Sequence, residues 1–135
     1  MAIDGNGRVL VVDDDALIRD TLATALGDEG YAVRVAPDGR AALRSISNWR
    51  PDVIVLDLMM PVMNGAEFRI AQRGAADTAQ IPVIVLSAAH EVQARAAGLD
   101  PAAIFTKPFD LGALLDAIAS VMDTSLSPRA DPFAT

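Results

Sequence analysis

Apolar and polar positions follow two patterns along the chain. Short unbroken apolar runs alternate with longer stretches of helical spacing. Val9-Leu10-Val11-Val12, Val53-Ile54-Val55-Leu56, Pro82-Val83-Ile84-Val85-Leu86 and Ala103-Ile104-Phe105-Thr106 are runs of the kind that form short buried strands. Tyr31 to Val35 predicts another strand. Leu17, Ile18, Leu22, Ala25 and Leu26 repeat at helical spacing and stop at Gly30. Asp38 can cap a second helix reaching about Asn48, and Pro51 forbids its continuation. A third helix is expected over about Ala66 to Arg73, and a short fourth over about Ala89 to Ala97, stopping at Gly98. Leu111, Leu114, Leu115, Ile118, Val121 and Met122 form the apolar stripe of a last helix. The segment Thr124 to Thr135 has prolines and no periodicity, so a disordered tail or the stub of a linker is expected.

The pattern is a βα unit repeated five times. Apolar strands joined by helices predict an α/β fold, a parallel sheet covered on both faces by right-handed crossovers. One domain over residues 8–123 is expected, with residues 1–7 as a lead-in. In open sheets of this kind, ligands bind beyond the carboxyl ends of the strands.

Those ends carry the chemistry. The first strand ends in Asp13-Asp14-Asp15, the third in Asp57, the fourth in Ser87 and the fifth in Lys107-Pro108. Two like charges ~4 Å apart at an effective dielectric near 20 repel by about 4 kcal/mol. A bound cation makes such an acid cluster sensible, and oxygen ligands without nearby His or Cys point to Mg²⁺. A Lys ammonium and a hydroxyl suit a phosphoryl group, and a carboxylate can act as nucleophile and become an acyl phosphate. Asp57 is the natural acceptor, because it stands alone on its strand between the acid pair and the hydroxyl.

Composition narrows the picture. Hydrophobic residues are 52% of the 135, enough for a core, but only 4% are aromatic, so aliphatic side chains must fill it. A net charge of −7 argues against direct nucleic-acid binding, which needs clustered Lys and Arg. The absence of cysteine excludes disulfides and thiolate zinc sites and suits a cytoplasmic location. The N-terminus lacks a signal-peptide pattern, and no apolar run is long enough for a membrane helix.

The four strand-end motifs together resemble a receiver domain of a two-component response regulator. They are Val11-Val12-Asp13-Asp14-Asp15, Asp57-Leu58-Met59-Met60-Pro61-Val62-Met63-Asn64-Gly65, Ser87-Ala88-Ala89 and Lys107-Pro108-Phe109. The resemblance covers about residues 8–123 and is to a single-domain receiver of the chemotaxis-regulator-like kind. It implies a flavodoxin-like (βα)5 sheet in strand order 2-1-3-4-5. It implies that Asp57 accepts a phosphoryl group from a phosphohistidine on a sensor histidine kinase or phosphotransfer protein. Asp14, Asp57 and the Met59 carbonyl would bind Mg²⁺, with Asp13 acting through water. Ser87 would hydrogen-bond the phosphoryl group, and Lys107 would pair with Asp57 at rest and with the phosphoryl group afterwards. Lys107-Pro108 would be a cis peptide. Asp15 would cap the first helix. An unidentified downstream protein would read the result, and homodimers through the fourth helix, fifth strand and fifth helix are a further expectation. The domain would act as a switch and catalyse only its own phosphotransfer and slow self-dephosphorylation.

Departures from the family pattern fall downstream. The position three before Lys107 usually carries an aromatic switch residue; here it is Ile104, and Phe105 follows. Ser87 and Lys107 stand 20 positions apart, fewer than is common, so a trimmed fourth helix is expected. Met59 and Ala89, two past Asp57 and Ser87, are neither acid nor amide, which implies slow self-dephosphorylation. His90 reads as a solvated residue, Trp49 as packing at the end of the second helix, and Met59, Met60 and Met63 as loop and core filler. Gly5-Asn6-Gly7 opens no helix, so no dinucleotide fingerprint is present. Two other classes stay open: an aspartate-nucleophile phosphatase of the haloacid-dehalogenase type, which Asp13-Asp14-Asp15 loosely fits, and an unphosphorylated interaction module.

Overall fold

The computed structural model describes residues 6–88 and 98–126. Its strands are β1 (Arg8–Val12), β2 (Ala32–Ala36), β3 (Val53–Asp57), β4 (Val83–Ala88) and β5 (Ala103–Lys107). Four helices lie among the described residues: α1 (Ala16–Asp28), α2 (Gly39–Ile46), α3 (Gly65–Arg73) and α4 (Leu111–Leu126). All five strands are parallel, in the order β2-β1-β3-β4-β5. The order reverses at β1 and β3, so the ends of those two strands face the crevice where such sheets bind ligands.

The central strands β1, β3 and β4 alternate their side chains between two cores. Leu10, Val12, Ile54, Leu56, Val83 and Val85 pack under α2 and α3, with Phe68 at 0% exposure. Val9, Val11, Val53, Val55, Ile84 and Leu86 pack under α1 and α4. Burial on both faces explains the unbroken apolar runs of β1, β3 and β4.

Local signals set the helix ends. Asp15 caps α1 by accepting from Leu17 N and Ile18 N, and Asp38 caps α2 by accepting from Ala41 N. Gly30, at φ 92, closes α1 in a Schellman arrangement, with Tyr31 N donating to Leu26 O and Gly30 N to Gly27 O. Asn64 and Glu67 form a reciprocal capping box at α3.

One boundary differs from the sequence expectation. Residues 124–126, expected to begin the tail, continue α4 to Leu126. No Gly or Pro interrupts the chain there, and the first breaker is Pro128. The helix expected over Ala89 to Ala97, with His90, falls outside the described residues, as does the tail from 127 onward.

Candidate functional site

The chain leaves β1 at Val12, and Asp13 is the first residue beyond it. Asp13 N donates to Ala36 O at 3.1 Å, which ties the turn to the neighbouring β2. Asp13 Oδ1 accepts from Asp15 N at 2.9 Å. Asp13 is 1% exposed and Asp57, the last residue of β3, is 3% exposed, whereas Asp14 lies open to solvent. One carboxylate oxygen from each of Asp13, Asp14 and Asp57 lies within 4.8 Å of the others.

Lys107, at the end of β5, reaches across this group. Its Nζ lies 2.9 Å from Asp13 Oδ2 and 3.4 Å from Asp57 Oδ2. The longer contact is an aligned hydrogen bond; the shorter is an ion pair without that alignment. Asp57 Oδ1 accepts from Met59 N at 3.2 Å. The Lys107-Pro108 peptide is cis.

Burial dominates the electrostatics. Desolvation and then the charge of Asp13 push the Asp57 pKa up to about 6, against the opposing pull of Lys107 and the Met59 N–H. Burial alone would lower the Lys107 pKa, but its contacts with Asp13 and Asp57 outweigh that and raise it. Three carboxylates gather here, and the one ammonium pairs with two of them, Asp13 and Asp57. The surplus negative charge and the all-oxygen donor set, with no His or Cys, fit a hard divalent cation such as Mg²⁺.

Ser87 is fully buried and its Oγ has no hydrogen-bond partner. Asp57 pairs with Leu86 across the β3–β4 ladder, so Ser87 lies one step further along its strand. An unsatisfied buried hydroxyl costs about 1–3 kcal/mol. A ligand oxygen arriving at the rim would remove that cost.

The loop after Asp57 is held tightly. Gly65 N donates to Leu58 O at 3.0 Å, and a Cβ on Gly65 would collide with the Asp57 carbonyl, so the loop needs glycine there. Val62 sits at φ 68 and is 72% exposed, with Met63 N donating to Pro61 O at 2.7 Å around it. A β-branched residue is strained in this region. Gly39 N anchors the loop by donating to Met63 O at 2.9 Å. Val62→Gly should therefore raise stability by roughly 1 kcal/mol in urea unfolding, because strain is relieved and no burial is lost. An unchanged or lower midpoint would show that Val62 carries no strain.

Residues outside the strand ends take other places. Ile104 is 40% exposed, while Phe105 packs into the core under α1 and α4, as the two-residue period of β5 requires. Met59 is a loop residue, 44% exposed; Met60 is buried and Met63 packs against the core. Trp49 is buried at the end of α2, with the guanidinium carbons of Arg8 and Arg34 at 5.1 and 4.9 Å from its ring centroid.

Sequence reasoning missed a buried polar hub. Arg69, 6% exposed, donates to Leu99 O, Ile81 O, Asp100 O and Gln72 Oε1. Gln72 Nε2 donates to Thr78 O and Ile81 O. The hub ties α3 to the chain entering β4 and β5, on which Ser87 and Lys107 stand. Its only sequence signal is a polar pair at the helical i, i+3 spacing beside the apolar Phe68.

A five-stranded doubly wound sheet with acids, a hydroxyl and a lysine at its switch-point rim defines a class of phosphoryl-handling signalling domains. The chain belongs to the response regulator receiver domain family of two-component systems, whose sequence model matches residues 9–119. It is 46% identical over 110 residues to the response regulator MprA of Mycolicibacterium vanbaalenii, across 80% of this chain and 47% of that protein. The chain thus spans about half the length of the curated relatives it matches. The chemotaxis response regulator CheY4 of Vibrio cholerae superposes with a TM-score of 0.77 at 35% identity, covering 84% of this chain and 97% of that one. The receiver domain of the Francisella response regulator 1452 gives a TM-score of 0.79 at 31% identity, over 88% and 98% of the two chains. Membership places the protein in phosphorylation-dependent signalling. No helix among the described residues is long and apolar enough to cross a membrane.

Proposed function

We propose that the domain is a switch thrown by phosphorylation of Asp57, with a sensor histidine kinase or phosphotransfer protein as the donor. The observation that carries this reading is the position of Lys107 Nζ, which bridges Asp13 and Asp57 while Asp14 completes the carboxylate group. A carboxylate oxygen of Asp57 attacks the phosphorus of a phosphohistidine. The P–O bond forms, the P–N bond breaks, and the imidazole keeps the electron pair. Asp14, Asp57 and the Met59 carbonyl would hold Mg²⁺, with Asp13 contributing through water. Bound there, the ion would neutralise charge on the phosphoryl oxygens.

The other residues act on the phosphoryl group directly. Lys107 moves its pairing from Asp57 to the phosphoryl oxygens. The Ser87 hydroxyl donates to one of them, which satisfies its buried Oγ and draws β4 toward the site. That movement is the signal, read by a downstream protein on the cytoplasmic side. The net charge of −7 favours a protein over a nucleic acid as the direct target of this domain. Ile104 is aliphatic, so the output does not use an aromatic rotamer change at that position.

The test is phosphorylation by a phosphohistidine donor with and without Mg²⁺. An alkali-labile acyl phosphate should form with Mg²⁺ and vanish in chelator. Met59 and Ala89, two positions past Asp57 and Ser87, are neither acid nor amide, so its decay should be slow. Loss within seconds would contradict this assignment of Met59.

A further inference from the structure

Asp13 and Asp14 are consecutive, yet only Asp13 is locked. Its N–H, Oδ1 and Oδ2 face Ala36 O, Asp15 N and Lys107 Nζ. The fourth polar group, its carbonyl oxygen, accepts from Arg19 Nη1 at 2.8 Å. That bond runs from the first turn of α1 back to the end of β1. Arg19 is itself fixed in the helix, with its N–H donating to Asp15 O at 3.0 Å. The peptide linking Asp13 to Asp14 is therefore held at its oxygen by the guanidinium, and its orientation sets where the Asp14 side chain begins.

A cation next to three carboxylates would ordinarily serve to offset their charge. Arg19 forms no ion pair with Asp13, Asp14 or Asp57 among the described residues; it spends this donor on a main-chain carbonyl. We infer that Arg19 is a positioning residue that holds the Asp13–Asp14 turn in the geometry that binds Mg²⁺. The inference rests on the metal reading above. It goes beyond it by giving Arg19 a role whose sign opposes that of its charge. By charge alone, a nearby cation repels Mg²⁺, and its removal should tighten binding. By positioning, its removal should weaken binding.

Calorimetric titration of MgCl₂ into wild type, Arg19→Met and Arg19→Lys separates the two. Arg19→Met keeps the apolar stem but loses the donor; Arg19→Lys keeps a donor and the charge. The expected result is about tenfold weaker Mg²⁺ binding for Arg19→Met, the worth of ~1.4 kcal/mol, with Arg19→Lys recovering most of it. Thermal melting in chelator should leave both variants near wild type. Equal or tighter binding by Arg19→Met would overturn the inference while leaving the metal site intact. Equal losses in both variants together with lowered melting would also overturn it, since that pattern marks a purely structural role. A wild type that binds no Mg²⁺ would overturn the metal reading and this inference together.

Discussion

In chelator at neutral pH, Asp57→Asn is expected to be more stable than the wild type, by as much as about 3 kcal/mol. Burial and the Asp13 charge raise the folded pKa of Asp57 from 3.8 to about 6. A carboxyl whose pKa is raised on folding favours the folded state fully below its unfolded pKa, near 4. That contribution is lost as pH rises through about 6. Above that pH the wild type holds an ionised, nearly buried carboxylate beside Asp13, and the amide of Asn removes that charge with little change in shape. Wild-type stability in chelator should therefore fall from pH 4 to pH 7, and the Asp57→Asn curve should lack that component. Urea titrations of both proteins across this range measure it. Parallel curves would show that the Asp57 carboxylate is not strained by its surroundings.

Mg²⁺ should reverse the penalty. Carboxylate oxygens within 4.8 Å of one another repel by about 3–4 kcal/mol per pair at an effective dielectric near 20. A divalent ion among them replaces repulsion with attraction. At a hundredfold excess over its dissociation constant, a ligand specific to the folded state adds about 2.7 kcal/mol, a rise of roughly 10 °C in Tm for a domain of this size. Asp14→Asn should lose most of that rise. Asp14 is exposed, so the substitution should do little harm to the metal-free fold. A wild type whose melting ignores millimolar Mg²⁺ would contradict the metal site, and an Asp14→Asn that responds equally would place the ion elsewhere.

The features legible in the sequence are those set by short-range rules. Burial on both faces wrote β1, β3 and β4 as continuous apolar runs, and each run delivered its polar residue to the rim. The convergence of Asp13, Asp57 and Lys107 followed from strand order, which the family resemblance supplied and the sheet has. Arg69 was not legible because its acceptors, Leu99 O and Asp100 O, lie about 30 positions away, and an arginine on a helix reads as surface. Arg19 was hidden although its acceptor, Asp13 O, is close in the chain: nothing in its spacing distinguishes a guanidinium bonded to a carbonyl from one in water. The strain at Val62 was masked because valine suits a strand, and nothing local in the sequence announces the tight turn that Met63 N closes on Pro61 O. The end of α4 was read too early because Thr124-Ser125 lacks apolar periodicity, although nothing there breaks a helix.

Mapping the label tests whether Asp57 is the phosphoryl acceptor. The domain is phosphorylated by a phosphohistidine donor with Mg²⁺, the acyl phosphate is trapped, and its peptide is sequenced by mass spectrometry. A single modified residue, Asp57, is expected, with background labelling in an Asp57→Ala variant whose circular dichroism matches wild type. Label on another residue, or wild-type labelling of Asp57→Ala, would contradict that role.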